Sequence, residues 1–275
     1  MTESIIFAPT LSGRPHIGTA CNLAACALVA EERGAHLIRR LDSRDEPQRK
    51  ITESVRAESV EALDEMAGLL GIQFHSTYTS VERRPRYNEI IERMIDTGHA
   101  KRNTDDVVLA DTLYGMDMIH GQIREYCSNL TFDGQPYSTA VTVIDAIDFN
   151  EAVHIRGNDL LMDMMPEVRL WNVVARRFSL TRQPLRYAHF PLIADATGEP
   201  LHKSNGPDAM YDAAHFLKQW ITPLRRRSEL AQMMIRPDSN IFSFENVRQD
   251  YAIHINATGA VVGATPWAEA GMFCE

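Results

Sequence analysis

No apolar stretch in this sequence is long enough to cross a bilayer. The longest, Cys21 to Ala30, is ten residues and is broken by Asn22, against the roughly 20 that a spanning helix needs. Cysteine is scarce. The four, at 21, 26, 127 and 274, fit neither the paired Cys-x-x-Cys spacing of a zinc site nor the density of a disulfide framework, so reduced thiols that mostly fill space are expected and no metal ligands are assigned. Positive charge is in deficit as well: 28 Lys+Arg against 37 Asp+Glu leaves a net −9. Such a surface repels polyanions unless a local basic face intervenes, so duplex coating and membrane adsorption are not expected. Met1 to Phe7 carries Glu3 where a secretory signal would be basic, and no long apolar run follows; a cytoplasmic protein is expected.

What is present is 275 residues, 44% apolar and 24% charged, enough to bury one large core and too apolar for disorder or a fibre. Short β-rich runs alternate with longer helical ones, the pattern of an α/β protein with a parallel sheet covered by helices. Ser4 to Ala8 reads as a buried strand, Ile17 to Arg33 as a helix stopped by Gly34, and His36 to Leu41 as the next strand. Thr52 to Leu70 carries Val55, Val60, Leu63, Met66 and Leu70 near helical spacing, and Gly71 ends it. A further amphipathic helix with Tyr87, Ile90, Ile91, Met94 and Ile95 ends at Gly98.

From Lys101 to Pro136 the pattern loosens into an insertion. Strands are then expected at Ala140 to Asp145 and Ala152 to Ile155, followed by a helix opening at Pro166 with Leu170, Trp171, Val174 and Phe178. Tyr187 to Ile193 closes the sheet. Beyond Pro207, a helix around Ala213 to Arg227 precedes short strand-like pieces with a turn at Asn256-Ala-Thr-Gly259. The organisation expected is 1–100 and 136–207 as two halves of a nucleotide-binding fold, 101–135 as a short connective insertion, and 208–275 as a small C-terminal region.

The stretch Phe7-Ala-Pro-Thr-Leu-Ser-Gly-Arg-Pro-His-Ile-Gly-Thr19 lies between the first strand and the first helix, where open α/β sheets bind phosphates at a helix N-terminus. Backbone N–H groups and the helix dipole favour an anion there, Gly18 permits close approach of a ring, and His16 offers an imidazole donor. By itself such a turn is more often just a turn.

The turn resembles the first signature, the HIGH motif, of class I aminoacyl-tRNA synthetases in its glutamyl and glutaminyl form: Phe7-Ala8-Pro9-Thr10, Gly13 and His16-Ile17-Gly18-Thr19 fall at the same spacing. The subclass's Arg-Ile-Glu-Asp-Thr-Asp is similar to Arg40-Leu-Asp-Ser-Arg-Asp45. Ser80-Val-Glu-Arg83 with Tyr87 resembles its Gln-Ser-Glu-Arg and following Tyr, and Val153-His-Ile-Arg-Gly-Asn-Asp-Leu160 its Val-Ile-Arg-Gly-Glu-Asp-Leu. His189-Phe-Pro-Leu-Ile193 and Leu201-His-Lys-Ser204 resemble its last strand and its KMSKS loop. The resemblance covers about residues 4 to 207, interrupted between about 101 and 135, and implies a Rossmann-like parallel sheet with helices on both faces.

It also implies an activity. An amino-acid carboxylate attacks the α-phosphate of ATP, with Mg²⁺, to give an aminoacyl-adenylate and pyrophosphate. The implied catalytic residues are His16, Thr19 and Lys203, with Pro9, Thr10, Gly18, Asp159 and Leu201 completing the ATP site. Asp42 is implied to hold the substrate α-amino group and Arg156 a substrate carboxylate, with Ile6, Ala8, Thr10, Ser138 and Thr142 lining the amino-acid pocket.

The departures matter too. Ile6 stands where the subclass has an Arg that neutralises glutamate, and burying a carboxylate without its cation costs several kcal/mol. Ser138 and Thr142 replace a pocket Tyr and Asn, and Pro200 and His202 thin the KMSKS loop. Arg156 alternatively pairs with Asp145 or Asp159, and Arg225-Arg-Arg227 is a wet helix end or an acceptor contact. The expected function is amino-acid activation by a synthetase-like ligase without an anticodon-binding domain, the acceptor being a small amine, a peptide or a carrier protein ahead of tRNA. Two alternatives stand beside it: charging of tRNA or glutamylation of a modified tRNA base, and a non-catalytic amino-acid or nucleotide-binding regulator.

Overall fold

The computed structural model describes residues 2–42, 51–110, 113–117, 122–126, 129–157, 164–177, 186–190, 193–194, 251–255 and 261–266, and the chain divides into two compact units. One comprises Thr2–Thr79, Ile155–Asp159 and Ala188–Glu275; the other is built from Ser80–His154 and Leu160–Tyr187.

The first unit opens as β1 (Ser4–Phe7), α1 (Ile17–Arg33), β2 (His36–Leu41), α2 (Glu53–Leu69) and β3 (Ser76–Thr79). The strands form one parallel sheet in the order β1-β2-β3, with Ser4 opposite His36 and Ile38 opposite Ser76. β1 is buried at every position, as expected of a continuous apolar run in a parallel sheet covered by helices. α1 begins and ends at the expected residues: Gly34 takes the left-handed conformation at φ 60 and donates its N–H to the carbonyls of Ala30 and Glu31, a cap that a β-carbon would oppose. α2 starts after Thr52, whose hydroxyl accepts from the Val55 amide.

Cys21 and Cys26 lie buried in α1. Burial pushes the Cys21 thiol up to about 12, which leaves almost no thiolate at neutral pH. Alkylation at pH 8 followed by peptide mass mapping is expected to label neither residue until denaturant is added; modification of Cys21 in the folded protein would contradict this packing.

The second unit contains α3 (Arg84–Asp96), then the strand pairs β4 (Ala100–Asn103) with β5 (Asp106–Leu109), β6 (Leu113–Asp117) with β7 (Gln122–Tyr126), and β8 (Thr131–Phe132) with β9 (Gln135–Pro136). The insertion is therefore a series of antiparallel ladders. β8 and β9 are joined through Asp133 and Gly134 at φ 49 and 68, the positive-φ pair that suits a two-residue hairpin.

α4 (Ser138–Asp148) follows, and it corrects the strand expected at Ala140 to Asp145. Residues Thr139 through Ile147 are all buried. A helix enclosed on every side shows no 3.6-residue period and reads like a buried strand, the more so with Val141, Thr142, Val143 and Ile144 in it. The helix is decided by packing: α3 and α5 (Met164–Arg177) lie against it, and Tyr87, Ile90, Met94, Ile144, Leu170 and Trp171 share one core.

Asp145 sits fully buried on α4. Its carboxylate accepts from the Tyr87 hydroxyl at 2.9 and 3.0 Å and from Arg83 Nε at 2.8 Å. Arg83 also pairs with Asp148, and Arg86 donates to both oxygens of Asp148 at 3.0 Å. Burial alone would lower the Arg83 guanidinium, but Asp145 and Asp148 more than reverse it and hold it above its ordinary value. The Ser80-to-Tyr87 signature thus clamps α3 to α4.

The chain continues through β10 (Val153–Gly157), whose expected start is Ala152, and β11 (Arg186–Phe190), which pairs with β10. β12 (Ile193–Ala194) runs parallel to β13 (Tyr251–Ile255), which pairs antiparallel with β14 (Val261–Pro266). Phe178, the helix expected at 213–227, the turn at 256–259 and the Arg225–Arg227 run lie outside the described residues. The architecture is α/β and Rossmann-like, as expected.

Candidate active site

The turn from Ala8 to His16 leaves the C-terminal end of β1 and enters α1. Three points define it. Thr10 and Asp42 form an isolated parallel β-bridge that prolongs the β1–β2 pairing past both strands. At the tip, Gly13, with φ 122, donates its amide to the Ser59 hydroxyl of α2 at 2.9 Å. At the far end His16 caps α1.

The cap settles the chemistry of the imidazole. His16 has extended backbone dihedrals, and its Nδ1 accepts the Gly18 amide at 3.0 Å. In a neutral ring an accepting Nδ1 leaves the proton on Nε2, so His16 is a donor through Nε2. Its carbonyl takes the Thr19 amide at 2.9 Å and the Ala20 amide at 3.3 Å. The first turn of α1 has no acidic residue, so the positive end of the helix dipole is not offset there. Gly18 is required by the ring itself: a β-carbon would stand 2.7 Å from His16 Cε1 and 2.9 Å from Nδ1.

Of the residues singled out in the sequence, Thr10, His16, Gly18 and Thr19 are partly exposed in this turn, as is Ala8. Pro9 is buried beside them, and Ile6 is buried inside β1 opposite Ile38. Asp42 is 6% exposed and Arg156, on β10, 5% exposed; both belong to the same unit as the turn. Ser138 opens α4 and Thr142 lies buried one turn later, both in the other unit. Asp159, Leu201 and Lys203, with Pro200 and His202, fall outside the described residues, as do residues 43–45. Of the two acids offered as partners of Arg156, Asp145 is held by Arg83 and Tyr87.

Ser59 carries no mark in any motif. The available signal was a hydroxyl in the apolar face of α2, four residues from both Val55 and Leu63, where a buried polar group needs a partner.

Residues 4–107 match the family model for the catalytic domain of class I tRNA synthetases of the E and Q type. The glutamate–tRNA ligase 1 of Alkalilimnicola ehrlichii is 24% identical over an alignment covering 73% of this chain and 50% of the relative. The glutamate–tRNA ligase of Azospirillum brasilense is 23% identical over 85% of this chain and 61% of the relative. The chain thus spans about half to three-fifths of the length of these relatives. Among solved structures, a glutamate–tRNA ligase from Elizabethkingia meningosepticum in complex with its amino acid superposes with a TM-score of 0.64 at 17% identity, covering 90% of this chain and 64% of that one. Residues 4–107 are thus similar to the catalytic domain of class I synthetases of the glutamyl and glutaminyl type, and the fold is that of the solved glutamate–tRNA ligase.

Proposed function

We propose that this protein activates an amino acid with ATP, forming an aminoacyl-adenylate and releasing pyrophosphate, and passes the acyl group to an acceptor other than a complete tRNA. The observation that carries the reading is the His16 cap: a neutral imidazole, locked by Gly18 and donating through Nε2, at a helix N-terminus with no acid in its first turn. A fixed donor at that place stabilises negative charge on an α-phosphate as the pentavalent state forms, with no reorganisation at the moment of reaction. Thr19 and the partly exposed backbone of the turn line the phosphates, Gly18 lies under the nucleoside, and Lys203 holds the β- and γ-phosphates.

On the amino-acid side, Asp42, bridged to Thr10, takes the α-amino group, and Arg156 takes a carboxylate. Ile6 stands where the subclass has a cation, so a glutamate side chain would rely on Arg156 alone for its charge, and the panel below decides which amino acid is taken. Among the described residues no group of three or more His, Cys, Asp and Glu side chains is placed to hold a metal. Mg²⁺ would accompany ATP as its counter-ion and offset charge on the phosphates. The net charge of −9 supports an acceptor smaller than tRNA. The likeness to glutamate–tRNA ligases favours a second reading, in which tRNA is the acceptor.

ATP–pyrophosphate exchange across a panel of proteinogenic and non-proteinogenic amino acids tests the activation step, and exchange with at least one is expected; none across the panel would remove it. Charging of tRNA, measured with the amino acid so identified, separates the two acceptors. Gly18→Ala should lower the exchange rate about 10²-fold, because the added carbon displaces the His16 ring and a displacement of about 1 Å costs that much. An unchanged rate would mean that the ring is not used where it stands.

A further inference from the structure

Ser59 lies on α2, fully buried, and takes no part in any signature of the chain. Its hydroxyl donates to the Val55 carbonyl one turn back, at 2.7 Å. A serine hydroxyl has one proton and two lone pairs. With the proton spent on the helix, the oxygen is held as an acceptor, and the Gly13 amide meets it at 2.9 Å across 46 residues of sequence. The turn is thereby tied at three places spaced three residues apart: Thr10 to β2 through Asp42, Gly13 to α2 through Ser59, and His16 to α1 through Gly18. The first and third are made by residues of the site itself. The second is made by a residue that touches none of the reacting groups, and it fixes the tip between the other two. A second contact from the same helix, Arg14 with Glu65 at 3.6 Å, is solvent-exposed on both sides and contributes little.

We infer that Ser59 is a positioning residue for ATP: its oriented hydroxyl holds the tip of the phosphate-binding turn in register with the His16 donor. This inference rests on the amino-acid-activating reading above. The amino-acid groups Asp42 and Arg156 are not on the tip, so the effect of losing Ser59 falls on the nucleotide.

The test compares wild type, Ser59→Ala, Ser59→Thr and Ala62→Gly by calorimetric ATP titration and by exchange kinetics, well below their melting temperatures. Ala62→Gly, at a buried position of the same helix, loosens α2 by a glycine's usual cost and leaves the Ser59 hydroxyl in the chain. Ser59→Ala is expected to weaken ATP binding and raise the ATP KM about threefold to tenfold, the worth of one hydrogen bond, with the amino-acid KM unchanged within about twofold. Ser59→Thr, which keeps the hydroxyl, restores at least half of the lost affinity, and Ala62→Gly leaves it intact.

Equal losses for Ser59→Ala and Ala62→Gly, or ATP and amino-acid KM values that rise together, would overturn the inference by reducing Ser59 to a structural residue. Unchanged ATP affinity in Ser59→Ala, with wild type binding ATP, would overturn the inference and leave the enzymatic reading standing. Absence of ATP binding by wild type would overturn both. Should Ser59→Ala not fold, hydrogen exchange of the Gly13 amide in wild type decides: protection, deepened by ATP, is expected, and exchange at the unfolded-chain rate would contradict it.

Discussion

Replacing His16 with asparagine is expected to leave the protein folded and nearly as stable as wild type, while ATP–pyrophosphate exchange falls about 10²- to 10³-fold. The two halves of this expectation come from the two nitrogens of one ring. Nδ1 accepts the Gly18 amide and caps α1; an asparagine carboxamide performs the same service, since Asn is among the best N-cap residues. Nε2–H is the donor assigned to the α-phosphate, and asparagine, with its oxygen turned to the helix, has no equivalent group at that reach. Losing one preorganised donor to a developing oxyanion costs about 2.7–4 kcal/mol of transition-state stabilisation. His16→Ala removes both functions and should add about 1 kcal/mol of lost stability. Thermal melts beside exchange rates separate the two. An asparagine variant that retains the rate would show that the imidazole serves the helix alone.

The largest stability effect is expected at Asp145. Its carboxylate has no exposure to solvent and joins Tyr87, Arg83 and, through Arg83, Asp148. Asp145→Ala leaves a hydroxyl and a guanidinium without the acceptor around which they are packed. Breaking a buried pair from one side costs about 3–5 kcal/mol, a large share of the 5–15 kcal/mol that holds a typical domain together. Asp145→Asn keeps the shape and one acceptor and should cost less. In urea unfolding the alanine variant's midpoint should fall well below wild type, with the asparagine variant between. A midpoint that does not move would mean that the clamp between α3 and α4 carries no net stability.

Much of this fold was legible because the local signals and the packing agree. α1 ends where Gly34 breaks it, α2 lies between Thr52 and Gly71, and β1 and β2 are short apolar runs bounded by turns. α4 was not legible, because nine consecutive buried residues erase the amphipathic period and only α3 and α5 tell a helix from a strand. The ladders of the insertion were hidden for another reason: their strands are two to five residues long and mix polar with apolar residues, and only the Asp133-Gly134 turn marks one of them.

Within the site, the spacing of the motif pointed to His16 and Gly18, but the direction of the imidazole proton is a property of the folded cap. The bridge between Thr10 and Asp42 and the bond between Gly13 and Ser59 join residues far apart in sequence, and a backbone donor leaves no trace in the identity of the residue that carries it. Arg83 and Tyr87 were visible as a signature, while their work, holding a buried carboxylate, was not.

The central claim is that a nucleoside triphosphate binds where β1 turns into α1. Calorimetric titration of the wild-type protein with ATP and Mg²⁺ tests it most directly. One site per chain is expected, with a Kd between about 1 μM and 1 mM, the range in which enzymes hold their substrates. No heat at millimolar ATP, from protein shown to be folded, would contradict the claim.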